Sequence, residues 1–62
     1  MRTAMCPKFE VYMDRAGQYR WRLKARNGEI VAVSEGYTTK YSAKQSAELV
    51  KSLAPYASIV II

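Results

Sequence analysis

From Lys8 onward the chain alternates. Phe9, Val11 and Met13 take every second position, with Glu10 and Tyr12 between them. That is the period of a strand with one buried face. The polar stretch Asp14 to Gln18, with Gly17 inside it, predicts a turn. Alternation returns more strongly in YRWRLKA. Tyr19, Trp21, Leu23 and Ala25 share one side; Arg20, Arg22 and Lys24 share the other. Asn27-Gly28 divides this run from a third, Glu29 to Glu35. An Asn-Gly pair between alternating runs predicts a two-residue type I′ hairpin.

These turns set a register. The first pairs Met13 with Tyr19, Val11 with Trp21 and Phe9 with Leu23. The second pairs Arg26 with Glu29, Ala25 with Ile30, Leu23 with Ala32 and Trp21 with Ser34. One face of the meander then holds Phe9, Val11, Met13, Tyr19, Trp21, Leu23, Ile30 and Ala32, and needs a cover. The opposite face holds Glu10, Tyr12, Arg20, Arg22, Lys24, Val31 and Val33.

The cover follows in sequence. Gly36 and Tyr37 break the third strand, and Thr39 or Ser42 can cap a helix, Thr39 fitting the longer one. Ala43, Ala47, Val50 and Ala54 recur at helical spacing, flanked by Ser46 and Leu53. Small residues on that stripe let the helix approach closely, with Trp21 and Phe9 filling the space. Pro55 ends it. The last run, Ala57 to Ile62, has strand composition. The expectation is an α+β domain of order β-β-β-α-β: an antiparallel meander with one helix packed on one face. Residues 1–7 read as a loose lead-in and residues 8–62 as a single domain.

The pieces FEVY, D-x-AG-x-YRWRLKA-x-NGEI and SEGY-[ST]-[ST]-K run almost without gaps over residues 9–40. Together they resemble the YegP-like family of small domains of unknown function. The resemblance implies a β3-α-β unit used twice, as tandem copies or as a homodimer of single-copy chains. Such a homodimer forms one sheet and exchanges its C-terminal strands. Against that pattern this chain has a six- or seven-residue lead-in, a more apolar tail in SIVII, and Val33 where a small polar residue is usual. No catalytic or binding residue carries over from the family. Glu35-Gly36-Tyr37 is its most recognisable signature. Its simplest reading here is structural, Gly36 allowing a sharp exit from the strand and Tyr37 packing the corner. The functional reading is a stacking surface at Tyr37 with Glu35 as an acceptor.

Size sharpens the question of assembly. A 62-residue chain buries only about 60% of its unfolded surface and commonly needs a disulfide, a metal or a partner. Cys6 is the only cysteine and there is no histidine, so neither an internal disulfide nor a metal site is expected, and no cofactor is implied. Oligomerisation is left. Ile59, Val60, Ile61 and Ile62 are the expected dimer-forming strand. There is no apolar run long enough to span a membrane and no secretory leader pattern. With a lone thiol these point to the cytoplasm.

Chemistry is sparse. Without histidine there is no ready proton carrier near neutral pH and no Ser-His-Asp or Cys-His set. The acids Glu10, Asp14, Glu29, Glu35 and Glu48 are scattered, Cys6 has no evident base, and Gly17, Gly28 and Gly36 fall at turns rather than in a phosphate loop. No enzyme is expected. The net charge of +5 favours anionic partners. The candidate partner face is Tyr12, Arg20, Arg22 and Lys24, flanked by Val31 and Val33. Cations beside an aromatic on an open sheet can hold single-stranded nucleic acid weakly, by phosphate contacts and stacking. The simpler account is a solvated strand face, which also explains Glu10, opposite Arg22, as a cross-strand ion partner. A small homodimeric binding or regulatory module, with nucleic acid or protein as possible partner classes, is the functional expectation.

Overall fold

The computed structural model describes residues 6–62. Strands β1 (Lys8–Met13), β2 (Tyr19–Lys24) and β3 (Ile30–Val33) form one antiparallel sheet in the order β1-β2-β3, followed by helix α1 (Lys40–Leu53) and a 3₁₀ turn (Ala54–Tyr56). This is the expected α+β meander with its helix. Most of the expected lead-in, residues 1–5, lies outside the described residues; Cys6 and Pro7 are exposed and irregular.

The β1–β2 ribbon has the expected register throughout, from Met13 opposite Tyr19 to Lys8 opposite Lys24. Its loop is closed by Asp14. The backbone N–H of Asp14 donates to the Gln18 carbonyl at 2.8 Å. The side-chain Oδ1 accepts from the N–H groups of Ala16 and Gln18, both at 2.9 Å. An aspartate at this corner satisfies donors that the turn would otherwise leave to water.

The β2–β3 ribbon corrects the expected turn. The loop has three residues, not two: the Ala25 N–H donates to the Glu29 carbonyl at 2.8 Å and the Gly28 N–H to the Ala25 carbonyl at 2.9 Å. Gly28 has φ +87, while among the described residues no non-glycine has positive φ. Asn27 therefore lacks the left-handed conformation that a type I′ turn demands; a type I turn completed by a left-handed glycine fits instead. Arg26 does not pair with Glu29, and Ile30 pairs with Lys24 rather than Ala25. One step further the expected pairing returns, Leu23 with Ala32, after a register shift that leaves Val31 over. The ladder continues to Ser34, whose N–H donates to the Trp21 carbonyl at 2.9 Å.

The third strand ends at Val33, before Gly36 and Tyr37 and two residues short of the expected Glu35. Tyr37 returns to the sheet and exchanges two 2.7 Å backbone bonds with Tyr19. Gly36 makes no sharp exit at positive φ. It leaves room for Gln18: a Cβ here would meet the Gln18 side chain, its Cδ at 2.8 Å and its Cβ at 3.2 Å. The last of these is anchored to backbone and cannot swing away.

Thr39 caps α1, its Oγ1 accepting from the Ser42 N–H at 3.0 Å. The helix lies against β1 and β2 and does not touch β3. Trp21, Ala43 and Ala47 are the buried residues of the core, Ala43 completely. Alanine brings the helix axis close enough for Trp21 to fill the layer, with Phe9 edge-on to it at 5.2 Å between ring centroids. The indole N–H donates to Ser46 Oγ at 2.9 Å, and the Tyr37 hydroxyl donates to the same oxygen at 2.9 Å. Ala54, expected on the buried stripe, falls in the 3₁₀ turn and is exposed. Pro55 has no N–H for the Lys51 carbonyl, so the α-helix ends at Leu53.

Beside α1 the sheet is incompletely covered. A groove of about 580 Å³ opens between the helix and β1, floored by Phe9, Val11, Leu23 and Ala47, with Lys44, Glu48 and Lys51 on its helix wall. Residues 57–62 form no strand in the single chain. Ile59, Val60, Ile61 and Ile62 are 71% to 111% exposed.

Candidate binding face on the sheet

Alternation along β1 and β2 carries Glu10, Tyr12, Arg20, Arg22 and Lys24 to the side of the sheet away from α1, where the register sets Glu10 against Arg22 and Tyr12 against Arg20. Glu10 keeps its opposite partner, whereas Tyr12 is met diagonally by Arg22 rather than by Arg20. Arg22 Nε donates to Glu10 Oε1 at 2.8 Å, and its guanidinium carbon lies 4.7 Å from the centre of the Tyr12 ring. Lys8 and Lys24 approach the same carboxylate at 3.5 Å each. Arg20 turns the other way, donating from Nε to Asp14 Oδ2 at 2.7 Å and from Nη1 to the Ser34 carbonyl at 2.8 Å. Such charge-assisted contacts orient guanidinium groups that would otherwise sample many rotamers.

Both carboxylates feel the cations. The hydrogen bond from Arg22 holds the Glu10 carboxyl below the usual carboxylate range, with Lys24, Arg22 and Lys8 adding to it against a smaller desolvation effect. The Arg20 hydrogen bond, then the Gln18 N–H, lowers Asp14 likewise. Arg20 is raised in turn, chiefly by Asp14. Four cations thus meet two carboxylates, and the face keeps an excess of positive charge.

All six candidate residues can be placed. Tyr12, Arg20, Arg22 and Lys24 come together as one patch. Val33 pairs with Arg22 and borders it, while Val31 is the residue that the register shift leaves unpaired. Ile30, expected under the helix, joins this margin through its pairing with Lys24. Ile30, Val31 and Val33 remain exposed, so the alkyl stems of the cations do not cover them. Glu35-Gly36-Tyr37 is built into the scaffold: Tyr37 is held at its backbone by Tyr19 and at its hydroxyl by Ser46. Among the described residues no cluster of His, Cys, Asp or Glu could hold a metal, and no helix is long and apolar enough to cross a membrane.

Residues 14–60, most of the sheet and all of the helix, match the family described as Domain of unknown function (DUF1508). The chain belongs to this family. It is the family to which the YegP-like sequence resemblance pointed. A UPF0339 protein of Methanosarcina acetivorans is 49% identical over 55 residues, which make up 89% of this chain and 95% of that one. The NMR solution structure of a protein from Haloferax volcanii superposes with a TM-score of 0.82 at 44% identity, covering 97% of this chain and all of that one. A longer UPF0339 protein of Stutzerimonas stutzeri is 47% identical over 51 residues, 82% of this chain but 46% of that protein. Its length leaves room for a second unit of the same size.

Sequence reasoning missed three residues that hold this face and its support together. The sequence shows Asp14 as a turn residue only; its second oxygen is what draws Arg20 away from Tyr12. Ser34 receives the Trp21 N–H on its hydroxyl at 2.9 Å while its carbonyl takes Arg20. Ser46 accepts from both Trp21 and Tyr37. Its signal was present: one hydroxyl beside an apolar helix stripe, facing a sheet with a single tryptophan whose buried N–H requires an acceptor.

Proposed function

We propose that the chain is a non-catalytic binding or regulatory module that works as a homodimer, each copy lending Ile59–Ile62 as a strand to the sheet of the other. One observation carries this reading: four consecutive β-branched aliphatics stand almost fully in solvent at the end of a chain whose own core is one tryptophan and two alanines. Burying a large aliphatic stabilises by roughly 1.5–3 kcal/mol, so the tail alone is worth as much as a small domain's whole stability of about 5 kcal/mol. The Stutzerimonas relative, with room for two such units in one chain, supports a paired arrangement. The absence of histidine and the engagement of Glu10 and Asp14 in ion pairs support binding over catalysis. Light scattering on the intact chain and on a variant lacking residues 59–62 tests it. The expected result is a dimer that becomes monomeric or unfolded on truncation; a truncated chain that stays dimeric overturns the reading.

The basic face supports a second reading, weak binding of single-stranded nucleic acid by Tyr12, Arg20, Arg22 and Lys24, because the sheet brings all four together with positive charge in excess. Glu10 and Asp14 compete for the same guanidiniums, so affinity is low and collapses as salt rises through about 0.2 M. Titration with short oligonucleotides at low salt, followed by amide and side-chain shifts at Arg20, Arg22 and Tyr12, decides it. Unmoved signals reject nucleic acid.

A further inference from the structure

The basic face divides into two clusters with different charge balance. Arg20 is committed to the scaffold. It donates to Asp14 and to the Ser34 carbonyl, while the other oxygen of Asp14 holds the N–H groups of Ala16 and Gln18. One cation meets one carboxylate there, and the pair is neutral. Around Glu10 the balance differs. Its Oε1 takes Arg22 at 2.8 Å and Lys24 at 3.5 Å, and its Oε2 takes Lys8 at 3.5 Å. Three cations against one carboxylate leave this cluster two charges positive. Among the described residues no other carboxylate is within ion-pair distance of the three. The stack on Tyr12 also fixes the Arg22 guanidinium, so the cluster is ordered before any partner arrives.

We infer that Lys8, Arg22 and Lys24 form the subsite for one phosphodiester of a single-stranded nucleic acid, with Glu10 standing in its place in the free chain. The proposal rests on the nucleic-acid reading above and changes its residues: Lys8 enters the site and Arg20 leaves it. A phosphodiester, like a carboxylate, shares one negative charge between two oxygens, and guanidinium and ammonium donors accept either. Three positive charges exceed the carboxylate and one phosphate together, so Glu10 weakens the phosphate without preventing it. The neighbouring strand favours a single strand over a duplex. The register sets Val33 beside Arg22 and Ile30 beside Lys24, and both aliphatics are exposed. An unpaired base next to the bound phosphate can lie on them, whereas a duplex keeps its bases stacked inside.

The test follows the fluorescence anisotropy of a labelled oligothymidylate of about ten nucleotides, with the intact chain at about 0.02 M salt, where screening is weak. E10Q removes the competing charge and is expected to tighten binding about tenfold. E48Q changes the net charge equally, but on the helix, where Glu48 pairs with Lys44; it is expected to stay within about twofold. K24Q is expected to weaken binding at least about fivefold. In the unaltered chain the Nε–H signal of Arg22 is expected to shift on titration while that of Arg20 stays in place. Equal tightening by E10Q and E48Q, or an Arg20 signal that moves as far as that of Arg22, overturns the subsite and leaves the nucleic-acid reading standing. No binding by either the unaltered chain or E10Q overturns both. A polyglutamate of the same length that binds as tightly overturns the phosphodiester in favour of an acidic protein partner.

Discussion

The two ribbons of this sheet share their middle strand and differ in almost everything else. The β1–β2 ribbon keeps one register over six pairs, carries ion pairs on its open face and lies under the helix on the other. The β2–β3 ribbon slips by one residue after its first pair, has no helix over β3, and exposes Ile30, Val31 and Val33. Both loops are of the same kind, three residues ending in a glycine, with a bond from the first strand's end to the residue after that glycine. The loop is therefore not the cause of the difference. In the first ribbon a three-residue loop agrees with the hydrophobic pattern. In the second it puts the pattern out by one, since Leu23 must face Ala32 to keep both on the helix side. Leaving Val31 over absorbs the conflict. The lesson is that burial outranks turn chemistry when the two disagree, and a bulge is how the sheet accommodates both.

Deletions would break this comparison most sharply. Removing Val11 reverses the faces of β1 against β2, sets Glu10 toward the helix layer and is expected to abolish folding. Removing Val31 joins the Lys24–Ile30 and Leu23–Ala32 pairs into one regular ladder and is expected to cost no more than about 1 kcal/mol. Amide spectra and thermal melts of the two variants check this, and comparable damage from both would refute it. Next in size, Trp21→Ala removes the side chain that fills the sheet–helix layer and is expected to cost about 3–5 kcal/mol, against under about 0.5 kcal/mol for Val31→Ala on the uncovered ribbon; denaturant midpoints compare them. Gly28→Ala forces a side chain into a left-handed conformation and is expected to cost about 1–2 kcal/mol, visible as a lower melting temperature.

The smallest effect distinguishes the open faces. Glu10 and Asp14 titrate below their unfolded values. As pH falls the unfolded chain therefore takes up protons before the native one does. The pairs' contribution is complete above the ordinary carboxylate range and is lost as pH falls through the lower range in which the native carboxyls protonate. Replacing Glu10 by Gln and Asp14 by Asn is expected to flatten the acid limb of a stability–pH curve without altering its neutral plateau shape. An unchanged acid limb would show that the pairs on the β1–β2 face contribute nothing measurable, as with many exposed pairs.

Much of the architecture was legible because it depends on neighbours in sequence. Periods of two and of about 3.6 revealed three strands and a helix, Thr39 and Pro55 bounded that helix, and the first register followed from Asp14 to Gln18. The patch of Tyr12, Arg20, Arg22 and Lys24 was legible for the same reason, since a strand's alternation decides its faces. Hidden in the sequence were the features that depend on two elements meeting. Asn27-Gly28 suits more than one turn, and only the packing of Leu23 and Ala32 under the helix selected the three-residue loop with its bulge. Gly36 reads in sequence only as a strand breaker; that its missing side chain makes room for Gln18 depends on two segments meeting.

The sequence by itself determined the order of elements, which residues β1 and β2 turn to the helix, and the apolar character of the tail, because these follow from local period and composition. Only the tertiary structure decided that α1 covers β1 and β2 but not β3, that Asp14 takes Arg20 while Arg22 stacks on Tyr12, and that Ser46 joins Trp21 to Tyr37. It alone opened a groove along β1 beside a tail with nothing to cover it. Those outcomes turn on distances between segments far apart in the chain, which close packing of side chains sets and no local pattern encodes.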